Sequence, residues 1–101
     1  MFARVSIIEG SPELIDESIR LTRETTIPEA RKMQGFKGLY LLIDRKTGKG
    51  MSIALRETEA DLHASTEAAK RLRAQHVQAI AAQPPTVEVY EVAVQPWLPL
   101  R

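Results

Sequence analysis

Residues 35–61 read GFKGLYLLIDRKTGKGMSIALRETEAD, and this stretch decides the fold. Its first apolar run, 36–44, predicts a strand, and the glycine-containing turn at 46–50 predicts a hairpin to a second strand at 51–57. Thr58, followed three residues later by Asp61, is typical of a capped helix start. The stretch therefore predicts an antiparallel hairpin that leads directly into a helix.

The flanking sequence adds a strand at each end of the chain and a helix after the first strand. Residues 2–9 predict the first strand, and Ser11-Pro12-Glu13 predicts the start of the first helix. Pro28 lacks an amide hydrogen, so we expect a kink or break near Thr26-Ile27 and then a short helical piece through Met33.

The second helix is predicted to run from Thr58 to about Ala82, and the fourth strand over 86–95. The order β-α-β-β-α-β predicts one α+β domain over residues 1–101. We expect it to be ferredoxin-like, with a four-stranded antiparallel sheet and two helices on one face.

Composition excludes several classes of function. The net charge is +1 with acids and bases mixed along the chain, so no basic stripe favours a nucleic-acid partner. Cysteine is absent, and His63 and His76 lack the spacing of a helical metal pair, so no metal site is predicted. No phosphate loop or dinucleotide motif occurs, so no cofactor is predicted. The apolar runs are too short to span a membrane, and without a recognisable signal peptide we expect a cytoplasmic protein.

The strand at 36–44 is apolar on both faces. Its alternation places six side chains, Phe36, Tyr40 and Leu42 on one face and Leu39, Leu41 and Ile43 on the other. Two helices cover only one face, so a second copy of the chain is expected to cover the other. This predicts a homodimer, in which Trp97, Leu98 and Leu100 of the tail reach across the partner.

The chain resembles the antibiotic-biosynthesis-monooxygenase-like branch of the dimeric α/β-barrel superfamily. The resemblance lies in Gly35-Phe36 through Leu42, the 44–50 turn, Glu57-Thr58-Glu59 and the last strand, 87–92. It implies a dimeric α/β barrel and, for an enzyme, cofactor-independent oxygenation of a small aromatic or apolar substrate.

Other members of this superfamily degrade haem, and here the sequence departs from their pattern. Arg56 stands where relatives often have Trp, and the chain has no Asn at all. Ser65 or Thr66 lies near the position of a Trp of the haem-degrading members, and only His76 is close to their His. Haem degradation is therefore not expected.

Three residues are candidates for catalysis. His76 lies on the apolar stripe of the second helix and is suited to act as a general base. Arg56 ends the third strand and is suited to hold a phenolate or carboxylate, and Tyr40 is suited to donate a hydrogen bond to an oxyanion. Each has a structural alternative: a half-buried histidine bonded to a neighbour, an arginine paired with Glu57, Glu59 or a last-strand glutamate, and a packed tyrosine.

Two functions remain open. The first is oxygenation of a phenol, in which His76 takes the proton and Arg56 or Tyr40 stabilises the anion. The second is a non-catalytic module for binding a small molecule or another protein. A cavity of at least ~300 Å³ between helices and sheet would favour the enzyme.

The charged residues of the two helices are predicted to face solvent: Arg20, Arg23, Glu24, Lys70, Arg71 and Arg73.

Overall fold

The computed structural model describes residues 1–80 and 83–95. Four antiparallel strands form one sheet in the order β2-β3-β1-β4. Their bounds are β1 Phe2–Glu9, β2 Phe36–Ile43, β3 Lys49–Arg56 and β4 Thr86–Glu91. The predicted α+β fold is confirmed, with its helical segments packed against one face of the sheet.

The first helical segment contains a π-helical turn. A 3-10 turn at Pro12–Leu14 leads into α1, Ile15–Leu21, and the π turn at Thr22–Thr26 joins α1 to α2, Ile27–Arg31. The Ile27 amide donates to the Thr22 carbonyl, five residues earlier. The change therefore occurs next to Pro28, as predicted, but the chain stays helical because the wider turn accommodates the missing amide hydrogen.

The second helical segment is divided in two. Helix α3 covers Glu59–Ala64 and α4 covers Thr66–Ala79, with Ser65 between them. The predicted cap is present, since the Asp61 amide donates to the Thr58 hydroxyl over 3.0 Å. The expectation of one continuous helix is wrong at Ser65.

Strand pairing assigns side chains to the two faces of the sheet. The helix-covered face carries pairs from β2 and β3: Leu39 with Ala54, Leu41 with Ser52 and Ile43 with Gly50. The other face, here called the open face, carries nine apolar residues: Ala3, Val5, Ile7, Tyr40, Leu42, Met51, Ile53, Leu55 and Tyr90. Tyr40 and Leu42 are 50% and 49% exposed there. Both faces of β2 are apolar, as predicted.

A β-bulge moves Phe36 to the face opposite the predicted one. Phe36 pairs with Arg56 while Gly38 pairs with the adjacent Leu55, so Lys37 is the extra residue. Paired residues of an antiparallel sheet share a face, so Phe36 lies on the helix-covered face rather than beside Tyr40.

The β2–β3 turn contains one position that requires glycine. Gly48 has a φ of +84°, and a Cβ there would collide with the backbone at Gly10. The Gly10 amide donates to the Gly48 carbonyl over 3.2 Å. This close approach fixes the hairpin end against the chain that leaves β1.

Strand β4 ends at Glu91, four residues before the predicted end at Gln95. The tail from residue 96, with the predicted partner contacts of Trp97, Leu98 and Leu100, lies outside the described residues. Among the described helices, none has the length and apolar character needed to cross a membrane.

Candidate functional site

A cavity of about 60 Å³ lies between the helix-covered face of the sheet and the helices. Its polar lining comes from β1, the π turn, β3 and α4: Arg4, Ser6, Thr26, Ser52, Arg56, Arg73 and His76. Two of the three predicted site residues, Arg56 and His76, therefore meet at one cavity. Three arginines at the same cavity give it an unusual concentration of positive charge.

Arg56 is 1% exposed and only partly satisfied in its hydrogen bonding. Its Nη1 donates to the Ala30 carbonyl over 3.3 Å and its Nη2 to the Met33 sulfur over 3.4 Å, whereas Nε has no acceptor. The guanidinium lies 5.3 Å from the centroid of the Phe36 ring. The alternative of an ion pair is wrong for Glu57, which instead contacts Lys37 at 3.2 Å.

Arg4, which no sequence pattern identified as a site residue, is also buried at 4% exposure. Its Nη2 donates to the Leu62 carbonyl over 2.8 Å and to the Thr66 hydroxyl over 3.2 Å, and its Nη1 donates to the Ser65 hydroxyl over 3.1 Å. In a continuous helix the Leu62 carbonyl would bond to the Thr66 amide. The helix break at Ser65 makes this carbonyl available to Arg4.

Arg73 is half-buried at the cavity, so the prediction that it faces solvent is wrong. Its position held a usable signal. Residue 73 lies four residues after Ala69 and three before His76, on the helical stripe that the apolar pattern already identified. The position of Arg73 on this stripe was overlooked because a charged helix residue is usually assigned to the solvated side.

The cavity arginines have no carboxylate partner among the described residues, where every salt bridge involves other cations. Burial lowers the pKa of Arg4, and the nearby charges of Arg73 and Arg56 lower it further. Burial likewise lowers the pKa of Arg56 and of Arg73, with Asp61 opposing this at Arg56. Guanidinium groups stay protonated near neutral pH, so the cavity wall is cationic.

His76 is half-buried, and its Nε2 lies 2.7 Å from the Ser18 hydroxyl. Burial lowers the pKa of His76, and the charge of Glu17 opposes this effect. The imidazole is therefore neutral at pH 7. If Nε2 donates its proton to Ser18, the Nδ1 lone pair is available as a base. This geometry fits both predicted roles of His76, a half-buried histidine bonded to a neighbour and a general base.

We expect His76 to make the stability of the protein dependent on pH. Its folded-state pKa lies below the ordinary value of 6.5, so the unfolded chain binds the proton more tightly. The contribution is fully present above pH 6.5 and is lost as the pH falls through the folded-state pKa, with a slope below about 1.4 kcal/mol per pH unit. Denaturant unfolding between pH 7.5 and pH 5 would show a smaller slope for His76→Gln than for wild type. An unchanged slope, or a reduced one in the exposed control His63→Gln, would contradict this expectation.

Tyr40 is not brought to the cavity. It pairs with Ile53 on the open face, so the sheet separates its hydroxyl from Arg56 and His76 of the same chain. His63 is exposed on α3. Within the described part of the chain, no group of three His, Cys, Asp or Glu residues is arranged to hold a metal ion.

Two further hollows adjoin the cavity. One of about 270 Å³ shares Leu39 with it, and one of about 230 Å³ shares Thr26, Leu72 and His76. The cavity alone is smaller than the ~300 Å³ typical of sites for organic ligands. A ligand larger than a small ion would therefore extend into one of these hollows.

Comparison with solved structures gives close matches of the whole domain. An antibiotic-biosynthesis-monooxygenase-like protein of Deinococcus radiodurans matches with a TM-score of 0.73 at 11% identity, over 94% of this chain and 95% of that one. The monooxygenase from the gene ActVA-Orf6 of Streptomyces coelicolor, in complex with the ligand nanaomycin D, matches with a TM-score of 0.70 at 17% identity, over 94% and 91%. This chain has the antibiotic-biosynthesis-monooxygenase-like fold. The resemblance drawn from the sequence is thereby confirmed for the fold.

The curated sequence relatives of this chain are named only as uncharacterized proteins. The uncharacterized protein Rv2557 of Mycobacterium tuberculosis is 31% identical over 93 residues, which cover 92% of this chain and 41% of that protein. The chain thus spans about two fifths of the length of the curated relatives it matches first. No family model matches the chain.

Proposed function

We propose that this domain is a cofactor-independent monooxygenase that oxidises a small aromatic phenol with dioxygen. The observation that carries the proposal is the meeting of a neutral imidazole, His76, with the buried cation Arg56 at one cavity. A base and a fixed cation are what ionisation of a phenol requires. The fold likeness to a monooxygenase crystallised with nanaomycin D supports the assignment.

Each part of the reaction has a chemical source. His76 takes the phenolic proton, and Arg56 stabilises the phenolate, which is electron-rich enough to react with dioxygen. A C–O bond forms at the ring carbon opposite the phenolate oxygen, and that carbon loses its hydrogen as the O–O bond breaks. One oxygen atom stays in the quinone and the other leaves as water, so phenol and dioxygen give quinone and water.

The proposal includes a homodimer formed through the open face. That face presents the apolar side chains of Tyr40, Leu42 and Ile53, and exposed apolar patches of this kind are typical of interfaces. Tyr40 then lies between the two sheets, so the proposal gives it a packing role instead of a contact with the anion. The α+β sandwich of each protomer keeps its own cavity.

Replacing His76 by glutamine is expected to slow oxidation of 1-naphthol by about 10²- to 10⁴-fold, the usual contribution of a general base. The assay follows dioxygen consumption together with the absorbance of 1,4-naphthoquinone. His63→Gln is the matched control, because His63 is an exposed histidine on the preceding helix, and it should keep the wild-type rate. Full activity of His76→Gln would remove the base assignment, and a wild-type protein that consumes no dioxygen with a panel of naphthols would remove the reaction.

A second function, ligand binding without catalysis, is favoured by the size of the cavity. At about 60 Å³ it is small for an aromatic substrate, and the Ser18 contact already occupies one nitrogen of His76. A naphthol that binds without any dioxygen consumption would decide for this alternative.

A further inference from the structure

We infer that the cavity binds a carboxylate carried on a small apolar body, with Arg4, Arg56 and Arg73 forming its anion-binding end. The inference rests on the site of the proposed function and narrows its substrate class to phenols that also carry a carboxylate. It requires only binding, so it can stand or fall separately from the oxidation.

The first argument is the convergence of the three cations. Arg4 comes from β1, Arg56 from β3 and Arg73 from α4, so three separate elements each contribute an arginine to the lining of one small space. Arg4 and Arg56 are almost fully buried, and burial of an unpaired charge costs several kcal/mol. A fold that only needed to fill this space would do so more stably with apolar side chains.

The second argument is the unused hydrogen-bonding capacity of Arg56. A guanidinium has five N–H donors, and the described contacts of Arg56 use one for a carbonyl and one for a sulfur, which is a weak acceptor. Its buried Nε has no acceptor at all. A carboxylate oxygen is the group that would satisfy such a donor with a charge-assisted bond.

The third argument concerns the apolar part of the ligand. The rest of the lining is mostly apolar, from Ala30, Met33, Leu39, Ala54, Ala69 and Leu72. The cavity has the space of about two water molecules, which suits a carboxylate group, and the hollows that share Leu39 and Leu72 with it have room for a ring. Inorganic phosphate would satisfy the arginines but would leave this apolar surface unused.

The test is calorimetric titration of the full chain with three probes: benzoate, its neutral isostere benzamide, and inorganic phosphate. Benzoate is expected to bind, and to bind at least about tenfold more tightly than benzamide, the difference expected for one charge-assisted hydrogen bond. Equal binding of benzoate and benzamide, or no binding of benzoate, would overturn the inference. Tighter binding of phosphate than of benzoate would overturn the assignment to a carboxylate on an apolar body.

Two variants assign the binding to the arginines. Arg56→Met and Arg73→Met should each weaken benzoate binding by about tenfold or more and leave benzamide binding unchanged. Arg71→Met is the matched control, because Arg71 is an exposed arginine on α4, and it should bind benzoate as wild type does. Unchanged benzoate affinity in both cavity variants would overturn the inference even if the wild type binds. Far-ultraviolet circular dichroism of each variant checks that the fold is retained.

The outcome is separable from that of the proposed function. Benzoate binding that depends on the arginines, in a protein that oxidises no naphthol, would leave the carboxylate site standing and the oxygenase proposal refuted. Oxidation of naphthols by a protein that does not prefer benzoate to benzamide would give the reverse result.

Discussion

The ligand-free protein is expected to become more stable, by about 1–4 kcal/mol, when Arg56 is replaced by methionine. The native side chain keeps a charge in a buried place where it contacts a sulfur, one carbonyl and a ring, and one of its donors is unsatisfied. The charge of Asp61 favours the guanidinium but makes no salt bridge with it. Methionine fills a similar volume without that cost. Loss of the contact with the Phe36 ring, worth about 0.5–2 kcal/mol, offsets part of the gain.

Urea unfolding of the ligand-free wild type and variant at pH 7 measures this effect as a shift in midpoint at constant slope. Arg71→Met removes an exposed arginine from α4 and should change the free energy of unfolding by no more than about 0.5 kcal/mol. A clear loss of stability in Arg56→Met would mean that the Ala30 and Met33 contacts outweigh the burial of the charge. Arg56 would then be an ordinary structural residue.

Replacing Ile53 by lysine is expected to convert the proposed dimer into a monomer. Ile53 lies at the centre of the open face, between Val5 of β1 and Tyr40 of β2. Two-fold symmetry would bury two uncompensated ammonium groups in one interface. The loss of at least about 3 kcal/mol per dimer corresponds to a more than hundredfold weaker association.

Light scattering coupled to size exclusion shows the result as a halved molar mass at micromolar concentration. Gln78→Lys adds the same charge at an exposed site of α4, on the other side of the sheet, and should keep the wild-type mass. A wild-type protein that is already monomeric would contradict the dimer, and a dimeric Ile53→Lys would place the interface elsewhere.

The hairpin and its continuation were predictable because local signals agree with one another there. Three signals each act within a few residues: the alternation in 36–44, the positive φ that requires glycine at Gly48, and the Thr58 hydroxyl that caps the following helix. Of the candidate site, His76 and Arg56 were found from their helix stripe and strand end, and both line the cavity.

The features that escaped prediction depend on contacts distant in sequence. Arg4 donates to Leu62 and Ser65, which lie some sixty positions later in the sequence. The only local sign of the helix break at Ser65 is a serine within a helical run. The bulge beside Phe36 shifts one strand against its neighbour, which alternation within a single strand cannot reveal. Tyr40 was predicted as a site residue but lies on the open face, away from the cavity. The sequence of one strand does not reveal which face the helices cover, because that is a property of the whole fold.

The π turn at Thr22–Thr26 sets the rotational phase of α2. Each residue of an α-helix advances the direction of the side chains by about 100°. Deleting one residue from this turn would restore regular helix and rotate Ala30 of α2 by that angle relative to the sheet. The Ala30 carbonyl would then move away from the Arg56 guanidinium, so the one extra residue of the π turn keeps this acceptor aligned with the buried cation.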